Sequence, residues 1–457
     1  MKFTNWEKKI EKRNTVKTRL STPRIIALGF LGIILLGTFL LMLPIATKSG
    51  STSFIEALFT ATSATCVTGL VVVDTYTHWT LFGQIIILCM IQIGGLGFMT
   101  VAVVFFFMAR KNIGLWGRDL LSESLNAFQI GGVVSLTKRL LKRTLIFEGV
   151  GAALLMVRFI PQYGIARGVY FGIFHSISAF CNAGFDLMGI NEAFSSLSAY
   201  ASDLYINIVV ICLVTIGGLG FLVWDDLAIN KWKIKKYRLH TKIVLVTSAV
   251  LLFGGAIIFY LLECNHLMAD MNAKEAVLAS MFSSMTARTA GFNTIDTGAL
   301  TDTSKFFNAF LMLIGGSPGS TAGGVKTTSL AVIAIYAFSS WSGNSEIGVA
   351  GRRLSDDVLK KACLVFANNL LLSVIASIIL GALQPIPMMD IMTETFSAVG
   401  TVGMSTGITR QLCMASKLVL ILMMYCGRIG SLTFAMMFMQ KKKLPPVQKP
   451  VEKILIG

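Results

Sequence analysis

Charge is scarce in this sequence: Asp, Glu, Lys and Arg make up 14% of 457 residues, where a soluble globular chain carries about 25%. Hydrophobic residues reach 54% and the mean hydropathy is +0.72. These values exclude a soluble domain and point to an integral membrane protein. Its apolar runs are long enough to cross a bilayer as helices, which takes roughly 20 residues each. The first 24 residues are basic and polar and offer no cleavable small-residue site, so no signal peptide is expected.

Groups that carry covalent or metal chemistry are also sparse. The four histidines are scattered and form no ligand cluster. The eight cysteines lie mostly inside apolar runs (Cys89, Cys212, Cys363, Cys426) or beside small polar stretches (Cys66, Cys181), and none shows CxxC spacing. They are expected to pack as small hydrophobes, with no metal or redox role. Without clustered His, Cys or carboxylates at membrane depth, a membrane enzyme has no support. No G-x-G-x-x-G opens a soluble strand–helix unit, so no organic cofactor is expected in this chain.

The charge that is present is one-sided, with a net value of +17. Residues 1–24, 110–143, 231–242, 352–361 and 441–453 hold 30 of the 40 Lys and Arg. Every second inter-helix segment is basic and the others hold few positives. This positive-inside pattern places both termini in the cytoplasm. It accounts for the charge without a nucleic-acid surface.

Between the basic segments one unit recurs four times. A first apolar helix is expected at about 25–46, 140–160, 242–262 and 362–382. A short segment follows at about 54–66, 170–181, 275–287 and 390–399, too short to span and so read as re-entrant. A small, glycine-bearing stretch comes next, and then a second long helix at about 79–109, 204–229, 305–338 and 416–439. The expected fold is an all-α polytopic membrane protein of four helix–pore helix–helix repeats, with eight spanning helices and four re-entrant pore loops. Its divisions are a cytoplasmic segment 1–24, repeats 25–109, 138–230, 240–338 and 360–440, and a cytoplasmic tail 441–457.

The small stretches are SATCVTGL (Ser63–Leu70), SAFCNAGF (Ser178–Phe185), MTARTAGF (Met285–Phe292) and SAVGTVGM (Ser397–Met404). Irregular backbone at membrane depth survives only where protein or a watery cavity surrounds it. Four short helices meeting at one axis would point partial negative charge inward, and the stretches after them could offer rings of carbonyl oxygens to an ion. Gly69, Gly184, Gly291 and Gly403 supply backbone angles closed to other residues. The neighbours Val67, Thr68, Asn182, Ala183, Thr289, Ala290, Thr401 and Val402 are neutral, so backbone must coordinate. That favours a weakly hydrated monovalent cation over calcium. Glu56, Glu275 and Asp390 stand near the starts of short helices, where they either cap or attract cations.

In the second helices, QIGGLGF (Gln92–Phe98) and TIGGLGF (Thr215–Phe221) are expected to pack closely. YCGRIGS (Tyr425–Ser431) is a distant copy. The third helix instead contains GGSPGSTAGGVKTT (Gly315–Thr328). Proline and repeated glycine cannot continue an ordinary helix. Gly315, Gly316, Ser317, Pro318, Gly319, Ser320, Thr321, Ala322, Gly323 and Gly324 are therefore read as an intramembrane gating loop, in a helix whose counterparts look uninterrupted. Arg428 is costly inside the fourth second-helix and needs a partner. The carbonyls of loop 315–324 and the acid Glu148 are the two candidates. Arg288 remains unassigned.

This set of motifs resembles the Trk/Ktr/HKT superfamily of potassium transport proteins over nearly the whole chain. Eight spanning helices without an additional amino-terminal pair, together with LSTPRIIALGF (Leu20–Phe30), look most like the Ktr-type membrane subunit. The third stretch departs, with Met285-Thr286 in place of Ser-Ala, but keeps its glycine. The resemblance implies a homodimer in the plasma membrane that takes up potassium, often stimulated by sodium, through one pseudo-fourfold pore per subunit. It also implies that glycine at all four filter positions favours potassium, that loop 315–324 and Arg428 form the gate, and that a separate cytosolic ring binding adenine nucleotides regulates transport. The basic segment 231–242 is a candidate docking surface for such a ring. A sodium-preferring conductance is the alternative. An alternating-access carrier of another solute is disfavoured, because such carriers usually show inverted or two-fold repeats, and these four units share one orientation.

Overall fold

The computed structural model describes residues 22–97, 133–343, 348–349, 351–431 and 433–434. The basic amino-terminal segment up to residue 21, the second half of the first long helix and the tail 441–457 lie outside the described residues. Among the described residues the architecture is all-helical apart from one small hairpin, Gly348–Val349 against Arg352–Arg353.

In chain order the helices are α1 (Thr22–Leu41), α2 (Phe54–Cys66), α3 (Leu81–Leu96), α4 (Val133–Tyr163), α5 (Ile165–Phe180), α6 (Leu204–Leu219) and α7 (Phe221–Asn230). The chain continues with α8 (Leu239–Ala249), α9 (Gly255–Glu263), α10 (Ala273–Thr286), α11 (Asp302–Leu313) and α12 (Thr327–Trp341). It closes with α13 (Asp356–Leu383), α14 (Met388–Gly400) and α15 (Met414–Ile429). Among the described residues, α1, α4, α13 and the continuous run Leu239–Glu263 are long and apolar enough to cross a membrane; the bent pair α6–α7 makes a fifth when counted as one span. Helices α3 and α12 are apolar but shorter.

The four short helices α2, α5, α10 and α14 fall where their apolar length and flanks predict. Ser53 and Glu56 form a reciprocal capping box at the start of α2, and Asn272 and Glu275 do the same for α10. Both acids therefore satisfy free helix-end amides. Asp390 in α14 instead accepts from Lys305 at 3.0 Å.

The second helices differ from the uninterrupted expectation. Helix α3 stops at Gly97, α6 at Gly220 and α15 at Gly430, with φ of 80°, 92° and 95°. Helix α7 leaves α6 at 97°. In each case the glycine three residues earlier lets the helix lie against the end of a short helix. A Cβ on Gly94, Gly217 or Gly427 would overlap the carbonyl oxygen of Thr65, Phe180 or Val399 respectively. The GGLG runs thus pack tightly, as expected, and also break their helices, which was not expected. Trp224 just after the break donates Nε1–H to Ile216 O at 2.9 Å and packs on Phe180 and Phe147.

A candidate ion pore

Each short helix ends in the same local backbone. Two residues before its glycine, Val67, Asn182, Thr289 and Thr401 take φ of 57°, 59°, 68° and 53°. Three of these are β-branched, for which the left-handed region is a genuine outlier. Such strain costs on the order of 1–3 kcal/mol per residue and persists only where the surroundings over-determine it. The next residue turns its N–H back onto the helix: Thr68 to Ser63 O, Ala183 to Ser178 O and Val402 to Ser397 O at 2.8 Å, and Ala290 to Thr286 O at 3.0 Å. Gly69, Gly184, Gly291 and Gly403 follow at φ 93°, 70°, 79° and 93°.

Hydroxyls brace these turns. Ser63 Oγ accepts from Gly69 N at 3.1 Å and Ser397 Oγ from Gly403 N at 3.0 Å. Ser178 Oγ donates to Phe185 O at 2.7 Å and Thr286 Oγ1 to Phe292 O at 2.6 Å. The Met285-Thr286 departure is therefore compensated, since Thr286 supplies the hydroxyl one residue later.

The four glycines close into a ring. A Cβ on Gly69 would lie 2.6 Å from Ala183 O, on Gly184 2.9 Å from Ala290 O, and on Gly291 2.6 Å from Val402 O. On Gly403 it would overlap Thr68 O. First copy meets second, second meets third, third meets fourth, and fourth returns to first. No side chain but hydrogen fits at any of these points. The ring residues are neutral, and the buried hydroxyls of Thr68 and Thr401 have no protein partner.

On one side the ring opens into a cavity lined by its four glycines and by Asp74, Asp186, Phe194, Ser405, Thr409 and Arg410. Asp74 accepts from Thr77 N at 2.7 Å and Phe194 N at 2.9 Å, while the Arg410 guanidinium sits 4.1 Å from the Phe194 ring centre. Asp74, Asp186 and Arg410 were not singled out from sequence. Each follows a ring glycine by a few residues, but only the fold brings the three to one cavity.

On the other side lies loop 315–324. Gly315 N donates to Val325 O at 2.8 Å, and Gly316 O accepts from Thr327 N at 3.1 Å. Ser317 N donates to Gly218 O at 2.9 Å, and Gly319 O accepts from Phe221 N at 2.7 Å, locking the loop onto the α6–α7 break. Pro318 O is 2.6 Å from where a Cβ on Gly220 would stand. Ser320 Oγ is buried without a partner. Thr321 Oγ1 reaches Asn182 Oδ1 at 3.2 Å and Phe180 O at 3.3 Å. Ala322 O accepts from Lys326 Nζ at 2.7 Å. Gly323 faces Thr401, and Gly324 faces Gly400. The loop therefore touches the second and fourth copies directly beneath the ring.

Arg428 resolves in favour of carbonyls. It donates to Thr321 O of the loop and to Gly94 O and Gly95 O, the latter at 3.2 Å. Glu148 instead accepts from Gln92 Nε2 at 2.9 and 3.2 Å. Arg288 donates to Ser248 O at 3.1 Å and Ser248 Oγ at 3.3 Å rather than to an acid. Among the described residues no group of His, Cys, Asp and Glu has metal-binding geometry.

The sequence matches the TrkH family, described as a cation transport protein, over residues 10–446. It is 41% identical to the potassium/sodium uptake protein NtpJ of Enterococcus hirae, over 97% of this chain and 99% of that protein. It is 39% identical to the Ktr system potassium uptake protein B of Bacillus subtilis, over 94% of this chain and 96% of the relative. The fold matches the crystal structure of the potassium transporter TrkH from Vibrio parahaemolyticus with a TM-score of 0.74 and 18% identity, covering 93% of this chain and 86% of that one. With the helical fold and nearly full-length similarity in hand, the conclusion is plain: this chain is a multi-pass membrane protein of the TrkH/Ktr family of cation transport proteins, and not an enzyme.

Proposed function

We propose that this protein takes potassium up across the plasma membrane through a filter of backbone carbonyls, gated by loop 315–324 and Arg428. One observation carries the reading: four glycine-bearing turns meet in a closed ring with neutral walls. A ring of carbonyls replaces the hydration shell of a weakly hydrated cation more cheaply than that of a strongly hydrated one. Val67, Thr68, Asn182, Ala183, Thr289, Ala290, Thr401 and Val402 with the four glycines form the filter, and the repeats divide at 25–109, 138–230, 240–338 and 360–440. Both termini face the cytoplasm. The functional unit is a homodimer, stimulated by sodium and regulated by a cytosolic nucleotide-binding ring that docks near residues 231–242.

The relatives support the cargo by their names, two of which specify potassium uptake and one of which adds sodium. That added ion keeps a sodium-preferring conductance as the competing reading. The test is potassium uptake by cells stripped of their own uptake systems, with and without sodium. Growth at low potassium and sodium-enhanced uptake are expected. Sodium entry without potassium uptake would favour the competitor.

The outer mouth adds a pH dependence. Burial pushes the Asp186 carboxyl up to about 7, and nearby Asp74 adds to the shift. Above that pH the group is ionised and attracts cations; below it the attraction is lost. Acidifying the outside from about pH 8 to about pH 6 should lower the apparent affinity for potassium. The change should be flattened in Asp186→Asn, as read by uptake at limiting potassium.

A further inference from the structure

Glu394 in α14 is completely buried, yet its carboxylate reaches the wall of the outer mouth. Thr409 Oγ1 donates to both its oxygens at 3.0 Å, and Ser405 Oγ donates to Oε1. Both hydroxyls belong to residues that line the cavity outside the ring. Ser405 Oγ also accepts from Gly407 N at 2.9 Å and lies 2.8 Å from Thr409 Oγ1. One carboxylate thus gathers the turn 405–409, which begins two residues after Gly403. Among the described residues no cation pairs with it, since Lys305 on the same side is taken by Asp390.

Glu394 stands nine residues before its filter glycine. The same step back from Gly69, Gly184 and Gly291 reaches Thr60, His175 and Phe282. Only His175 acts alike: its Nε2 accepts from Leu187 N at 3.2 Å, and Phe171 O holds Nδ1 at 2.8 Å. The Thr60 hydroxyl has no partner, and Phe282 has no polar group. In the ring order, the second and fourth copies are diagonal. At this position, nine residues before the glycine, only the second and fourth copies carry a side chain that pins the outgoing strand, across the axis from one another.

Burying a carboxylate without a cation is expensive, and a hydrophobic side chain at this position would fill the space at lower cost. We propose that Glu394 is a positioning residue for ion selection. By holding Ser405 and Thr409 it fixes the outgoing strand of the fourth copy, and with it the carbonyl geometry around Gly403. This rests on the ring being the selectivity filter.

The test compares potassium and sodium uptake per inserted protein, in cells without their own uptake systems. Glu394→Gln keeps the volume and an Oε1 acceptor for Ser405, but it removes the charge and puts an NH2, which cannot accept from Thr409, where Oε2 stood. The potassium-to-sodium ratio should fall about tenfold, the size expected when a buried hydrogen bond is lost and its partner left unsatisfied. Ser405→Ala combined with Thr409→Val should reproduce the fall, and joining all three changes should add nothing further. A drop in total flux with an unchanged ratio, in either variant, overturns the proposal. If Glu394→Gln does not insert, the hydroxyl pair decides alone. Gly69→Ser separates the two levels. An unchanged ratio there removes the filter reading itself, whereas a changed ratio there with an unchanged one for Glu394→Gln removes only this inference.

Discussion

Replacing Gly69 by serine is expected to reduce potassium-over-sodium discrimination at least about tenfold, equivalent to roughly 1.4 kcal/mol. The backbone at Gly69 sits at φ 93°, where a side chain is strained by on the order of 1–3 kcal/mol. The new Cβ would stand 2.6 Å from Ala183 O and 3.1 Å from the Gly184 Cα, both backbone atoms that cannot rotate away. Relief requires moving the second copy's carbonyl, which is itself part of the ring. Because each copy touches the next, the displacement propagates around the axis. The added hydroxyl also offers a ligand to a smaller ion. Competition between rubidium and sodium for uptake gives the ratio directly, and an unchanged ratio in properly inserted protein would remove Gly69 from the filter.

Deleting Ser317–Thr321 is expected to raise flux, on the order of tenfold or more if the loop must leave for ions to pass. The deleted residues make the contacts that hold the loop under the ring: Ser317 to Gly218, Gly319 to Phe221, and Thr321 to the end of α5. Arg428 closes the same element from the opposite side through Thr321 O. A hydrogen bond to a charged group contributes about 1.5–3 kcal/mol, so Arg428→Ala should shift the same equilibrium by about ten- to a hundredfold. Arg428 also places a cation beneath the ring, with no carboxylate within ion-pair reach among the described residues. Losing it lowers an electrostatic barrier to a passing cation. The deletion and Arg428→Ala together should exceed the deletion alone by little. Uptake time courses normalised to membrane abundance check this; normal or lower flux in the deletion, or full additivity, would separate the loop from gating.

Much of this arrangement is legible in the sequence because it is local. The short helices announce themselves by capping residues such as Ser53–Glu56 and Asn272–Glu275, and by lengths too small to span. The glycine-bearing turns announce themselves by spacing. The breaks at Gly97, Gly220 and Gly430 were readable in principle, because each is the last glycine of its GGLG-like run. Within an apolar run, however, a glycine that packs and a glycine that breaks look identical. Aligning those runs would also have explained Arg428, which stands where the other copies have Gly95, Gly218 and Gly316. Three glycines leave room at the centre, and one arginine fills it. Asp186 and Arg410 come to one cavity from different copies, and the clamp on Glu394, though it spans only 11 to 15 residues, is built from hydroxyls that no recurring spacing marks.

The most direct measurement is anomalous diffraction from crystals of this protein grown in rubidium, a scattering substitute for potassium, and then in sodium. A rubidium peak is expected on the axis among the carbonyls of Thr68, Ala183, Ala290 and Val402, lost when sodium replaces it. A ring empty in rubidium, or a peak at Glu394 in place of the axis, would contradict the filter reading.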